Sequence, residues 1–320
     1  MTSGVPAFVS LHGRRAGLTP RGLIVDGRYP GETRPYGRDW FVNAKLGDNG
    51  RSGETFDESV ATVATIFSSR SIRSGDRIYL VGKVREQIST PAGLFGVEVI
   101  GIGATRHADD HTEPSGGGYQ GGSFSATWTA PASPTSATPL LTVRQQGWKF
   151  YNILFDGPSD AAAIQLLRDA GSGDDEDDAS HAEFYGCKFV AGQNHIEFKG
   201  GLSQVILADN LFFGSTADSI LETVGAGVGT NNYHRFLRNH WHNNESHIDM
   251  AMNYGSIIGN IFGKFTTDGI SLTGGSENTV GGNYLYGTYS AAGGYDAGTN
   301  DEWGGNLNSL TGGVTAADPT

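Results

Sequence analysis

Cysteine is almost absent from this 320-residue chain: Cys187 stands alone, so no internal disulfide can form, and its apolar neighbours favour a buried structural thiol over a reactive one. Proline is scarce, with 11 residues beside 49 glycines, which excludes a collagen-like or proline-stiffened chain and leaves many glycine-punctuated turns between short strands. Basic charge is also short. Against 34 acidic residues stand 22 Lys and Arg, a formal charge of −12, and that balance offers no footprint for gripping phosphate backbones. Nucleic acid is therefore not an expected partner. No apolar run approaches the roughly 20 residues a bilayer-crossing helix needs, and residues 1–10 lack the basic-then-apolar pattern of an export signal. The expectation is a chain made in the cytoplasm, with no signal peptide and no membrane insertion. The 37% hydrophobic content is low but enough for a core.

Residues 1–40 hold Gly13, Gly17, Gly22, Gly27, Gly31 and Gly37 with Pro6, Pro20, Pro30 and Pro35, and no sustained periodicity. They read as an extended arm. Arg14, Arg15, Arg21, Arg28, Arg34, Arg38 and Arg51 make the arm and its junction basic against an acidic body, which suits docking on an acidic protein surface. A solvated leader is the other reading. A helix is expected next, from the capping-box spacing of Thr55 and Glu58 and the repeat of Val60, Val63, Ala64 and Phe67 at i, i+3, i+4, i+7. Such a helix can cover the open end of a strand stack. Residues 77–81 and 97–100 have strand chemistry. Residues 103–138, rich in glycine with three prolines, read as a long surface loop, either a contact segment or a mere insertion. The glycine-rich residues 291–320 read as a tail.

The architecture is fixed by an internal repeat. Ile164, Ile196, Ile220, Ile248 and Ile270 recur at spacings of 32, 24, 28 and 22, four of them followed two positions on by a large apolar residue and the deviant Ile220 by Glu222. Between them runs a second series, Asn152, Gly186, Asn210, Asn239, Asn260 and Asn283, each shortly before an apolar or aromatic residue. Two interleaved strand motifs with variation confined to their connectors describe a β-solenoid coil. One coil has no way to bury its own inward side chains, whereas the next coil, stacked ~4.8 Å away, closes both core and hydrogen bonds. Asn152, Asn210, Asn239, Asn260 and Asn283 are expected at a common corner, where Asn tolerates left-handed dihedrals and can ladder its amide along the stack. The fold class expected for residues 41–290 is all-β, a parallel β-helix with an N-terminal capping helix.

The runs Gly47-Asp48-Asn49-Gly50, Gly75 to Gln87 and Gly147 to Phe155, with Arg168-Asp169 through Asp178-Ala179-Ser180-His181-Ala182, resemble phage and prophage right-handed β-helix proteins of the pectate-lyase-like superfamily. The resemblance covers roughly residues 40–290. It implies a virion surface protein of decoration, fibre or tailspike type, often trimeric, attached to other virion proteins, with host surface glycans as further partners. It does not imply catalysis, although relatives include polysaccharide lyases and glycosidases. Arg235 and Arg238 have a spacing faintly like a lyase arginine, without a carboxylate cluster to support it.

In a coil stack Gln165, Glu197, Leu221, Asp249 and Ser271 should form one outer column. Glu197 and Asp249 would then lie two coils apart, ~9.6 Å, at the upper end of the separation of an inverting glycosidase pair, unless they simply furnish a solvated face. Glu222 falls where its neighbours point inward, so either a bulge turns it out or a carboxyl with a raised pKa is buried. His240, Trp241 and His242 are candidates for glycan stacking, with packing as the alternative, and no metal site or cofactor is expected from them. The run Asp174 to Asp178 reads as a solvated loop and lacks the alternating ligand pattern of a calcium loop.

Overall fold

The structure is a computed structural model that describes residues 37–103, 126–168, 177–223, 231–290, 293–309 and 319, together with the backbone of 8–11, 14–19 and 22–25. Residues 8–11, 14–19 and 22–25 pair as a small antiparallel meander, so the part of the arm described is extended chain folded back on itself. Arg21, Arg28 and Arg34 lie outside the described residues.

The body is a right-handed parallel β-helix. Among the described residues three parallel sheets run the length of the stack, with ten, nine and eight strands, and each of the eight complete coils contributes one strand to each. The first sheet runs from Asp39–Asn43 to Glu302–Gly304, the second from Lys83–Arg85 to Leu307–Asn308, and the third from Ile88–Ser89 to Tyr295–Asp296. In the third sheet Ile164, Ile196, Ile220, Ile248 and Ile270 are paired in one continuous register and fully buried. The second sheet points Trp128, Phe155, Phe189, Phe212, Trp241 and Phe262 into the same interior. Successive rings from Phe189 to Phe262 stack at 4.8–5.0 Å between centroids, close to the spacing of the strands that carry them.

Four expectations are corrected. The helix is Val63–Ser69, and its cap is Thr62, whose hydroxyl accepts from the Thr65 amide. Thr55 and Glu58 instead close a turn, while Val60 bridges to Val42; the capping-box spacing also fits a turn. Val63 and Ile66 still seal the first coil, and the Glu86 carboxylate accepts from the Val63 and Ala64 amides at the helix start. The loop expected over 103–138 contains a core strand, Thr127–Thr129, with Trp128 buried and donating to the Glu86 carbonyl; Gly116 to Gly118, Gly121, Gly122, Tyr119 and Phe124 lie outside the described residues. The tail expected after residue 290 holds a further coil, with Tyr295, Trp303 and Leu307 paired to the strands before them.

The fourth correction concerns the Asn corner between the first and second sheets. The left-handed residue is the one before each ladder position: Gly186, Asp209, Arg238, Gly259, Gly282 and Gly305 all have φ between 53° and 68°. The Asn side chains of 210, 239, 260, 283 and 306 turn inward; the Oδ1 of 239, 260, 283 and 306 each accepts from the backbone and side-chain amides of the Asn one coil earlier, and that of Asn210 accepts from the Cys187 backbone amide. Asn152, with φ 55°, occupies the left-handed position itself and reaches sideways to the Gly101 and Gly103 carbonyls. Cys187 takes the ladder place in its coil, fully buried, and burial pushes its thiol up to about 12.

Candidate functional site

The third sheet turns one outer column to the surface, and its register runs Thr142, Gln165, Glu197, Leu221, Asp249, Ser271 and Asp296. Glu197 and Asp249 are thus two coils apart, with Leu221 between them. The Glu197 carboxylate is taken up within the stack: it accepts from Gln165 Nε2 at 2.7 Å and from the Thr223 hydroxyl at 2.7 Å. Glu222 pairs in register with Phe198 and needs no bulge. It is half-buried and accepts from Asn231 Nδ2 at 2.7 Å and from the Ala251 amide at 2.6 Å. Burial raises its pKa, a tendency those two donors oppose and the nearby Asp249 reinforces.

A carboxylate group not singled out from the sequence gathers around Asp249. Burial raises the pKa of Asp218, and Asp249 and Glu245 add to it while a bond to Ser246 works against it. Asp268 is raised by burial and then by Asp249 and Asp296. Like charges held on successive coils thus favour a proton on some of these groups. The signal was present as acids at matching coil positions, but only the register shows that they share a face.

Trp241 is removed from the glycan-binding candidates: it is fully buried between Phe212 and Phe262. His240 and His242 flank it on the outer face, half-buried, and His242 stacks on Phe213 at 6.0 Å. Three other histidines, His195, His234 and His247, are fully buried, and burial lowers each to about 3. Each has a hydrogen-bond partner inside the stack, such as Ser219 for His195 and Asn244 for His247. They are neutral packing groups. Arg238 does not stand ready for substrate either, since its guanidinium makes two 2.8 Å bonds to Asp209.

The acidic run also resolves differently. Asp174 to Glu176 lie outside the described residues, but Asp177 is buried and paired with Arg144 at 2.6 Å. Burial works against the Asp178 carboxylate, yet bonds from Ser180 and Gln146, with Arg168 nearby, outweigh it and hold the carboxyl below its ordinary range. Among the described residues no group of three or more His, Cys, Asp or Glu is arranged to hold a metal ion, and no helix is long and apolar enough to cross a membrane.

At the corner between the second and third sheets lies a cleft of about 320 Å³, lined by Ser215, Thr216, Asn243, Asn244, Glu245, Lys264, Phe265 and Thr266. Three successive coils supply its wall. The coils are tied together there by the Glu245 amide donating to the Ser215 carbonyl and the Asn243 amide donating to the Lys264 carbonyl.

No family model matches the chain, and no curated protein matches its sequence. In three dimensions it is similar to proteins of the pectate-lyase-like parallel β-helix class. Among them are pectate lyase Pel9A, at 11% identity over 88% of this chain and 70% of that one with a TM-score of 0.57, and the deglycosylated pectin methylesterase from Aspergillus niger, at 14% identity over 91% and 94% with a TM-score of 0.54. At these identities the likeness shows the fold alone.

Proposed function

We propose that this chain is a structural virion-surface protein of a tailed bacteriophage, a decoration, fibre or tailspike-like component, which binds host glycans without cleaving them. The observation that carries the non-catalytic reading is the use made of the carboxylates: Glu197 and Glu222 act as struts between coils, each accepting from two donors within the stack. An acid or base for glycoside hydrolysis has to face the scissile bond with an oxygen open to it. The motif resemblance at residues 47–50, 75–87 and 147–155 supports the particle assignment, with the basic arm docking on other virion proteins and the body assembling as a trimer. Folds of this class in polysaccharide-active proteins support the glycan ligand.

The test is incubation with capsular polysaccharide and lipopolysaccharide, following new reducing ends and absorbance from unsaturated products. Neither should rise above buffer while the glycan is retained by the protein. A second reading, a polysaccharide hydrolase or lyase, is favoured by the carboxylates around Asp249, whose mutual repulsion could keep one protonated as a general acid. Product release that Asp249→Asn abolishes and Glu197→Gln spares would establish that reading and overturn the first.

A further inference from the structure

We infer that the cleft at the corner between the second and third sheets is a saccharide subsite that selects neutral or amino-sugar glycans and rejects polyuronates. The inference rests on the glycan-binding reading above and adds to it a place and a chemical class.

Saccharides are held by a fixed aromatic face against their C–H groups together with planar polar groups against their hydroxyls. The cleft offers both. Phe265 lines it, half-buried, and its ring meets those of His247, Tyr286 and Tyr295 near-perpendicular, at interplanar angles of 78°, 82° and 90° and centroid distances of 5.5, 6.3 and 5.6 Å. Contacts from three neighbours fix the ring before any ligand arrives, which lowers the ordering cost of binding. Around it stand Glu245, Lys264, Thr216 and Thr266; the two threonine hydroxyls donate to the Gly192 and Glu245 carbonyls and so face a ligand as acceptors. Glu245 and Lys264 are both exposed, and no ion pair joins them among the described residues. A carboxylate can accept from two adjacent sugar hydroxyls, and an ammonium can donate to ring or hydroxyl oxygens.

Size and spacing agree with this chemistry. A volume of about 320 Å³ lies at the small end of ligand sites. The polar groups come from three successive coils, at residues 215–216, 243–245 and 264–266, so they repeat every ~4.8 Å along the stack. A chain of pyranose rings has a repeat of similar length, so neighbouring coils can address neighbouring sugars.

Charge decides the class. Lys264 is the one cation in the lining, which it shares with Glu245, while Asp249 and Asp296 stand in the outer column of the adjoining sheet with Asp218 and Asp268 within electrostatic reach of Asp249. The register that sets Asp249 and Asp296 in one outer column makes this face rich in carboxylates. A polymer with a carboxylate on every ring would add like charge to it, whereas a neutral sugar adds none and a free amino group gains from it.

The experiment is calorimetric titration of the full chain with chitobiose, di-N-acetylchitobiose and trigalacturonate, repeated on Glu245→Gln and Phe265→Ala, with urea unfolding to establish that each variant is folded. Binding of either amino-sugar disaccharide at least tenfold tighter than trigalacturonate is expected, with a loss of tenfold or more in Phe265→Ala and a selective loss for chitobiose in Glu245→Gln. Trigalacturonate binding as tightly as the others overturns the class. Binding that neither variant weakens overturns the site and leaves the glycan reading standing. Should no disaccharide bind while capsular polysaccharide or lipopolysaccharide is retained, the subsite alone falls; should nothing bind at all, the glycan reading falls with it.

Discussion

Two corners of the same coil differ in how far their regularity extends. Between the first and second sheets the chain turns with one left-handed residue and one inward Asn, coil after coil, from Asn210 to Asn306. Between the second and third sheets the connectors differ in length and composition, and there Ser215, Glu245, Lys264 and Phe265 open a cleft. Inside the first corner the backbone and side-chain amides of Asn210, Asn239, Asn260 and Asn283 are committed to the stack. At the second, charged side chains are left to the surface. A solenoid confines regularity to where neighbouring coils must hydrogen-bond in the dry, and is free to vary where its turns meet water.

The sharpest way to break that contrast is to remove a rung. In Asn260→Ala the Asn239 backbone and side-chain amides lose their shared acceptor, the Phe236 carbonyl loses its donor, and a cavity remains. Stranding buried polar groups costs about 1–3 kcal/mol each, so a loss on the order of 3–4 kcal/mol is expected in urea unfolding. Glu245→Gln at the other corner should stay within about 0.5 kcal/mol of the parent. Equal losses at the two sites would erase the distinction.

Buried histidines give a second, pH-dependent difference. His195 and His247 lie on the second-to-third side of the coil and His234 beside Asn231, all lowered to about 3 by burial. Their neutral forms are favoured in the folded state, so their contribution is full above the ordinary histidine value of about 6.5 and is lost as pH falls toward 3, where the unfolded chain takes up protons that the folded chain refuses. In that window each contributes a slope of about 1.4 kcal/mol per pH unit. His247→Gln should flatten the pH dependence of the urea midpoint by one proton's worth between pH 6 and 4. Asp218, Glu222 and Asp268, whose raised values act in the opposite sense, are common to both proteins and cancel in the difference. A slope unchanged by the substitution would mean that His247 is hydrated in the folded state.

What could be read in advance follows the same division. The isoleucine row was legible because a strand period of two, interrupted by polar neighbours, leaves only one way to face the core. The Asn series was legible as a series but not in register: Asn152 and Asn210 look alike in sequence, yet one adopts the left-handed turn and the other follows it. Trp241 lies between two histidines in a polar-apolar-polar alternation that places it inside, which is the packing reading the sequence held open beside glycan stacking. The cleft could not be seen at all. Its lining comes from three stretches, 215–216, 243–245 and 264–266, well apart along the chain, and only the pairing of Leu211 with His240 and of His240 with Ile261 brings the three coils together.

The smallest effect tests why the regular corner is not wholly glycine. Gly186, Gly259, Gly282 and Gly305 take the left-handed turn freely, but Asp209 and Arg238 take it with side chains, at φ 56° and 53°. A non-glycine residue in this region costs roughly 1 kcal/mol. Their guanidinium and carboxylate meet across adjacent coils at 2.8 Å, largely in solvent, where such a pair contributes about 0.2–1 kcal/mol. The two effects nearly cancel. Arg238→Gly should therefore change stability by less than about 0.5 kcal/mol at low salt, and become stabilising as salt screens the pair that the parent retains. A clear loss at every ionic strength would mean that the ion pair, and not the buried Asn beneath it, holds those two coils in register.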